Sequence, residues 1–326
     1  MTWLVTGGAG YIGAHVVAAM RAAGKRVVVL DDLSTGDAER VDGVPLAVGS
    51  VADGDLLART MREHHVRGVV HLAAKKQVEE SVRRPLYYYR ENVEGLRVLL
   101  EAATTARVES FVFSSSAAVY GAPDVDLVDE DTDCRPVNPY GRTKVIGEQM
   151  LADVAAATGL RYVSLRYFNV AGAAQPRLAD RGAGNLVPMV FKRLTDRAAP
   201  QIYGDDYPTP DGTCIRDFIH VADVATAHVA AAEKLAAGEV AALTANIGRG
   251  EGVSVRAMVA AIRQVTGTAD QSWAEPTVLP RRPGDPPRVV AASDRIRSAL
   301  GWSPGCGVHE MVASAWQGWT ARNSSS

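Results

Sequence analysis

Short apolar runs alternate with longer amphipathic stretches through the first half of the chain. Thr2–Thr6 predicts a buried strand, the stretch from Tyr11 to Ala23 a helix closed by Gly24, and Val27–Leu30 a second strand. The alternation continues with an apolar run at Val44–Val48, a helix over Asp53–His64 and a strand at Gly68–Leu72. A long helical stretch at about Val82–Ala106 leads to a strand at Phe111–Ser114, and a helix carrying Tyr140 and Lys144 leads to a strand at Tyr162–Arg166. Apolar runs this short, lacking a polar face, mark parallel strands buried on both sides. The pattern predicts an α/β fold with a doubly wound parallel sheet, whose ligands gather outside the carboxyl ends of the strands.

The rhythm changes after about Asn169. Residues Ala171–Gly184 read as a loop, and helical patterns return at Leu186–Arg197, Val221–Ala237, Val255–Thr266 and Asp294–Leu300. The expected division is a dinucleotide-binding unit at 1–168 and a smaller mixed α/β lobe for substrate at 169–326. The segment at about 221–250 is expected to pack back on the first unit.

A net charge of −2 gives no long-range pull toward nucleic acid. No apolar run approaches the roughly 20 residues that span a bilayer. The first strand starts almost at once, leaving no room for a signal peptide, so a cytoplasmic location is expected. Cys134, Cys214 and Cys306 are odd in number and form no CxxC pair, which points to reduced thiols rather than a disulfide framework. His64-His65 lacks companions at ligand spacing, and no metal is expected.

Two motifs bring chemistry to this frame. Gly8-x-Gly10-x-x-Gly13, extended by Gly7, stands between a predicted strand and a predicted helix. There the glycines let the backbone approach a pyrophosphate, which meets the helix N-terminus. The second strand ends in Asp31-Asp32, where an acid receives an adenosine ribose; two carboxylates would repel a 2′-phosphate, so NAD is expected over NADP. Tyr140 and Lys144 share a helical face at i and i+4. An ammonium beside a phenol lowers its pKa, so Tyr140 is expected to serve as a base. Ser114-Ser115-Ser116 should place a hydroxyl at the sheet edge beside it.

These motifs resemble the extended short-chain dehydrogenases/reductases, a Rossmann-fold family, and within them the UDP-glucose 4-epimerases. The resemblance rests on Thr6–Gly13, Tyr140–Lys144, Arg166-Tyr167-Phe168-Asn169 and, most specifically, the run from Tyr203 to Val221; it extends from Thr2 to about Pro304. It implies reversible C4 epimerisation of a UDP-hexose through a 4-keto sugar, with NAD retained, Tyr140 as base, Lys144 as its tuner and Ser116 beside the 4-hydroxyl. It places the cofactor at Gly7, Gly10, Tyr11, Ile12, Gly13, Asp31, Asp32, Leu33, Ser34, Thr35, Gly36, Ser50, Val51, Leu72, Ala73, Ala74, Lys76, Asn92, Ser114, Tyr140, Lys144 and Phe168. It places the nucleotide sugar at Lys76, Ser116, Tyr140, Asn169, Asn185, Leu186, Gln201, Ile202, Tyr203, Arg216, Arg282, Asp285 and Val289. A homodimer through the helices at Val82–Ala106 and Asn138–Thr158 is likewise implied.

Departures from the family pattern set the open questions. Ser50 stands where the family usually has aspartate, and Ala118 replaces a common threonine. Ser116 is followed by Ala117 and Ala118 rather than the Asp-Glu pair of the related sugar dehydratases, which argues against elimination of water. Val289 stands where hexose-restricted members often carry tyrosine, which leaves room for an N-acetylhexosamine. Arg177 in the loop is the alternative partner for a uronic-acid carboxylate, and a UDP-pentose also remains open. Two further alternatives are a net dehydrogenase releasing NADH and a non-catalytic NAD-binding protein.

Overall fold

The structure is a computed structural model, and it describes residues 1–180, 182, 184–282 and 284–323. Its frame is a parallel sheet of seven strands: β1 (Thr2–Thr6), β2 (Arg26–Asp31), β3 (Leu46–Val48), β4 (Val66–His71), β5 (Ser110–Ser116), β6 (Arg161–Tyr167) and a late strand, β10 (Ala242–Ile247). Their spatial order is β10-β6-β5-β4-β1-β2-β3, so the direction of winding reverses between β1 and β4. That reversal opens a crevice at the carboxyl edge, as the doubly wound pattern predicts.

Helices α1 (Tyr11–Ala22), α2 (Gly54–Glu63), α3 (Val78–Arg83), α4 (Pro85–Tyr88), α5 (Gly95–Thr105) and α6 (Pro139–Thr158) belong to the first half of the chain. The second half contributes α7 (Leu186–Thr195), α8 (Val221–Ala237), α9 (Val255–Val265), α10 (Asp294–Leu300) and α11 (Val308–Asn323). It also carries short strands β7 (Asn169–Ala171), β8 (Gln201–Tyr203), β9 (Ile215–His220), β11 (Gly252–Ser254), β12 (Thr277–Leu279) and β13 (Arg288–Val289). These pair as β7 and β13 with β9, β11 antiparallel to β9, and β8 with β12.

Apolar layers cover both faces of the large sheet. On one, Val5, Val29, Val70 and Val163 pack with Ala14, Val17 and the alanine-rich face of α8. On the other, Leu4, Val28, Val69 and Phe111 pack with Leu57, Leu99 and Leu151. A third core holds Val190, Phe191, Met258, Ile262 and Met311 in the smaller lobe. Thus α8 packs on the large sheet and β10 joins it beside β6, although both follow the short strands β7 to β9 in the chain.

The long helical stretch expected at Val82–Ala106 is not continuous. It is α3, α4, one turn of π-helix at Tyr89–Glu94, and α5. Arg84 breaks the helix because it precedes Pro85, whose ring disfavours helical geometry in the residue before it. The π turn carries Asn92 inward, a local widening often found beside functional sites.

Candidate active site

The glycine turn is packed too tightly for any other residue at its key points. A Cβ at Gly13 would stand 2.0 Å from the carbonyl oxygen of Gly7, and one at Gly7, where φ is +71°, would stand 2.6 Å from the Ala73 amide nitrogen. Helix α1 starts at Tyr11 with Gly10 as its N-cap and no side chain capping its amides. Amides at a helix start that no side chain caps, in a turn with no room for a Cβ at Gly7 or Gly13, suit a pyrophosphate. The residues present therefore fit NAD. Asp31 is buried and accepts from the Ala9 and Leu33 amides at 2.9 Å each, so it also pins the glycine turn to the loop after β2. Burial pushes its carboxyl up, against those two bonds.

Tyr140 stands in the first turn of α6, behind Pro139 and the N-cap Asn138, whose side chain accepts from the Gly141 amide at 2.8 Å. Tyr140, Lys144 and Glu148 follow at helical spacing, and the three serines at the end of β5 meet them. The Lys144 ammonium donates to the Ser114 carbonyl at 2.8 Å, the Ser115 hydroxyl donates to Glu148 at 2.5 Å, and Ser116 interacts with the Tyr140 phenol. Glu148 in turn receives Arg166 of β6 on both oxygens, at 2.9 and 2.6 Å. A forked guanidinium–carboxylate pair of this kind fixes orientation as well as charge.

Burial lowers the Lys144 ammonium to about 8, and the charge of Glu148 opposes that fall. Tyr140 departs from expectation: burial raises its phenol, and the Ser116 hydrogen bond offsets this only in part. The reason is geometric. Lys144 Nζ is 6.0 Å from the Tyr140 ring centroid and is engaged by the Ser114 carbonyl, so it does not by itself drive the phenol toward neutrality.

One cleft runs from the glycine turn past Tyr140 to the smaller lobe. Of the expected cofactor residues, Gly7, Gly10, Tyr11, Ile12, Gly13, Asp31, Asp32, Ser34, Thr35, Ser50, Val51, Leu72, Ala73, Ala74, Lys76, Lys144 and Phe168 line it. Of the expected substrate residues, Ser116, Tyr140, Asn169, Asn185, Leu186, Gln201, Tyr203, Arg216, Arg282, Asp285 and Val289 line it. The Arg282 guanidinium lies 3.9 Å over the Tyr203 ring, and Arg216 faces Asp285 at 3.5 Å. Pro283, between Arg282 and Asp285, lies outside the described residues.

Residues 3–248 match the NAD dependent epimerase/dehydratase family. The chain belongs to that family. A UDP-glucose 4-epimerase of Azospirillum brasilense is 48% identical over 306 residues, covering 92% of this chain and 86% of its own. The crystal structure of a UDP-glucose-4-epimerase from Stenotrophomonas maltophila, with bound NAD and formylated UDP-arabinopyranose, matches with a TM-score of 0.94 at 37% identity, covering 100% of each chain. That of a UDP-glucose 4-epimerase from Brucella ovis in complex with NAD matches at 0.91 and 40% identity, covering 96% of this chain and 97% of its own.

Within this epimerase fold, five expected residues stand back from the cleft. Ile202 is wholly buried in the small-lobe core, because β8 alternates and turns it away from Gln201 and Tyr203. Leu33 packs on the main core, and a Cβ at Gly36 would meet the Asp31 carboxylate at 2.7 Å. Ser114 sends its hydroxyl to His228 Nε2 at 2.8 Å and only its carbonyl to Lys144. Asn92 accepts from the Lys75 amide at 2.8 Å and donates to the Lys75 carbonyl at 2.9 Å and to Thr143 Oγ1 at 3.0 Å, so it braces the cleft from behind. Arg177 does not line the cleft either: it donates to Gln175 Oε1 at 3.1 Å and, more weakly, to the carbonyls of Glu39 and Arg40.

Lys75, Glu148 and the linkage of Arg166 are the functional features that linear pattern does not mark. Only the i+8 spacing of Glu148 from Tyr140 offered a signal. Among the described residues no group of three or more His, Cys, Asp or Glu side chains is placed to hold a metal, and no helix is long and apolar enough to cross a membrane.

Proposed function

We propose that the chain interconverts UDP-glucose and UDP-galactose by epimerisation at C4, with NAD held through turnover. The observation that carries this reading is the single cleft joining a helix start suited to pyrophosphate, a buried Tyr140–Lys144 pair and an arginine-bearing wall. When bound, NAD supplies a reversible hydride acceptor, so C4 of the sugar can pass to a ketone and back to either alcohol. The residues around the glycine turn, with Asp31, Asp32 and Lys76, would hold it. Tyr140, as phenolate, takes the proton of the 4-hydroxyl, is held as phenol while the ketone stands, and returns the proton after the sugar has presented its other face. Ser116 holds the reacting oxygen, and Lys144, as a cation, favours the phenolate form in which Tyr140 accepts that proton. Arg216 and Arg282 grip the diphosphate away from the reacting carbon, so binding energy comes from the part of the substrate that does not turn over.

Ser116 is followed by the short turn Ala117–Val119, with no acid at either of the next two positions, which supports epimerisation over dehydration. Val289 favours a second substrate. It lines the sugar end of the cleft as a small side chain, leaving space beside the C2 substituent for an N-acetyl group. The chain is further proposed to act as a homodimer in the cytoplasm, with 1–168 and the returning segment at about 221–250 forming the cofactor unit.

The test is to incubate purified protein, without added cofactor, with UDP-galactose and separately with UDP-N-acetylgalactosamine, and to resolve the C4 epimers. Conversion of both is expected. Conversion of UDP-galactose alone would remove the second substrate, and accumulation of free NADH would replace the epimerase with a net dehydrogenase. No reaction with either, after NAD is supplied, would overturn the sugar assignment.

A further inference from the structure

The two adjacent lysines of the loop after β4 differ in what they touch. Lys76 is exposed along the cleft, whereas Lys75 reaches across to the loop after β2. Its ammonium donates to Ser34 Oγ at 2.8 Å and stands 3.6 Å from Asp32 Oδ2. Asp32 in turn accepts from both the amide and the hydroxyl of Ser34, at 2.9 and 2.6 Å, so the receiving end is a braced acceptor pair. Some burial pushes the Asp32 carboxyl up, but the Ser34 hydrogen bonds and the Lys75 charge bring it below its ordinary value. It therefore remains anionic toward Lys75 across the neutral range. The sending end is fixed too, since Asn92 binds both backbone polar groups of Lys75.

Sheet order gives this contact its meaning. Strand β1 lies between β4 and β2, so the glycine turn after β1 sits between the two loops that Lys75 joins. Each loop is already pressed against that turn: Ala73 against Gly7 on one flank, and the Asp37 amide on the Ala9 carbonyl at 3.0 Å on the other. The Lys75 side chain completes a ring around the anion-binding helix start, and Asp32, Ser34 and Lys75 all line the cofactor cleft.

We infer that Lys75, with Ser34 and Asp32, forms a strap across the dinucleotide cleft that sets how slowly the cofactor leaves. The inference rests on the reading of the cleft as an NAD site. A cofactor seated at the glycine turn exchanges only when the ammonium releases the opposite loop. Solvent screens a bridge of this exposure, so its removal is expected to change exchange by about fivefold rather than by orders of magnitude.

The experiment follows exchange of bound NAD for labelled NAD, and NAD content after prolonged dialysis, in the wild type, K75A, S34A and the double variant. Lys75→Ala is expected to speed exchange about fivefold and to lower retained NAD. Ser34→Ala is expected to act in the same direction. The double variant is expected to fall short of the product of the two, because both remove one contact. Added salt should speed exchange in the wild type more than in K75A. Wild-type exchange rates in both single variants would overturn the strap. Faster exchange in K75A alone would also overturn it, leaving a lysine that acts directly on the ligand. A wild type that takes up no NAD would overturn the underlying site assignment, an outcome distinct from either.

Discussion

The two walls of the cleft are built on opposite principles. The cofactor wall is backbone held rigid: glycines with no room for a Cβ, helix amides left free, and an Asp31 whose oxygens already serve the loop. The sugar wall is made of long side chains on short strands and turns: Arg282 lies on Tyr203, and Arg216 meets a partly exposed Asp285 at 3.5 Å. Rigid backbone suits a group meant to stay, since few rotamers are frozen when it binds. Adaptable arginines suit a ligand that must arrive, let its sugar turn and leave. Between the walls stands α6, which belongs to the rigid side yet turns Tyr140 into the cleft.

Four changes would break or sharpen this contrast. Tyr140→Phe strikes the boundary itself and is expected to lower kcat by about 10²–10⁴-fold, with little change in the KM for UDP-galactose, measured by steady-state kinetics. Gly13→Ala tests rigidity: its Cβ would collide with the Gly7 carbonyl, which cannot give way. Loss of bound NAD and a stability loss of about 1–3 kcal/mol are expected, read by cofactor content and thermal melting. Retention of NAD by that variant would show the cofactor wall to be as adaptable as the other. Arg282→Ala tests the adaptable side and is expected to raise KM by about tenfold while kcat holds, the signature of lost uniform binding.

Glu148→Gln is the subtlest. The Glu148 charge raises the Lys144 pKa, which burial has lowered to about 8, so removing it lets the ammonium lose its proton at lower pH. The alkaline limb of the rate profile should therefore move toward neutrality. An unmoved limb would reduce Glu148 to a structural pair for Arg166. His71 lies near enough to feel Lys144, but burial holds it neutral, near 3, so it does not titrate in the range where this limb is read.

The alternation of apolar runs made the sheet legible because a strand buried on both faces has no other linear signature. The glycine turn and the Tyr140–Lys144 pair were legible because each acts within one turn of chain. What escaped was long-range or directional. Pro85 announced a break that the surrounding helical pattern masked, so α3, α4 and the π turn read as one helix. The resemblance set Ile202 beside Gln201 and Tyr203, although a strand sends neighbours to opposite faces and Ile202 faces the core. The partners of Lys75 lie 41 and 43 positions away, and Arg166 is 18 from Glu148, distances at which pattern carries no information.

The joint between β5 and α6 has a bearing on how this chain can change over generations. Three consecutive serines engage three successive turns of helix, one through a carbonyl and two through hydroxyls. A strand reverses its faces at every residue, so inserting or deleting one position within Ser114–Ser116 would turn Ser115 away from Glu148. An insertion between Tyr140 and Glu148 would rotate one end of that stretch by about 100° against the other, so that Tyr140, Lys144 and Glu148 no longer share a face. The exposed tip of the loop between β5 and α6, Asp124–Leu127, bears on neither alignment. Length variation among descendants should therefore accumulate there and be purged on both sides of it, so that the active site is guarded as much by reading frame and count as by residue identity.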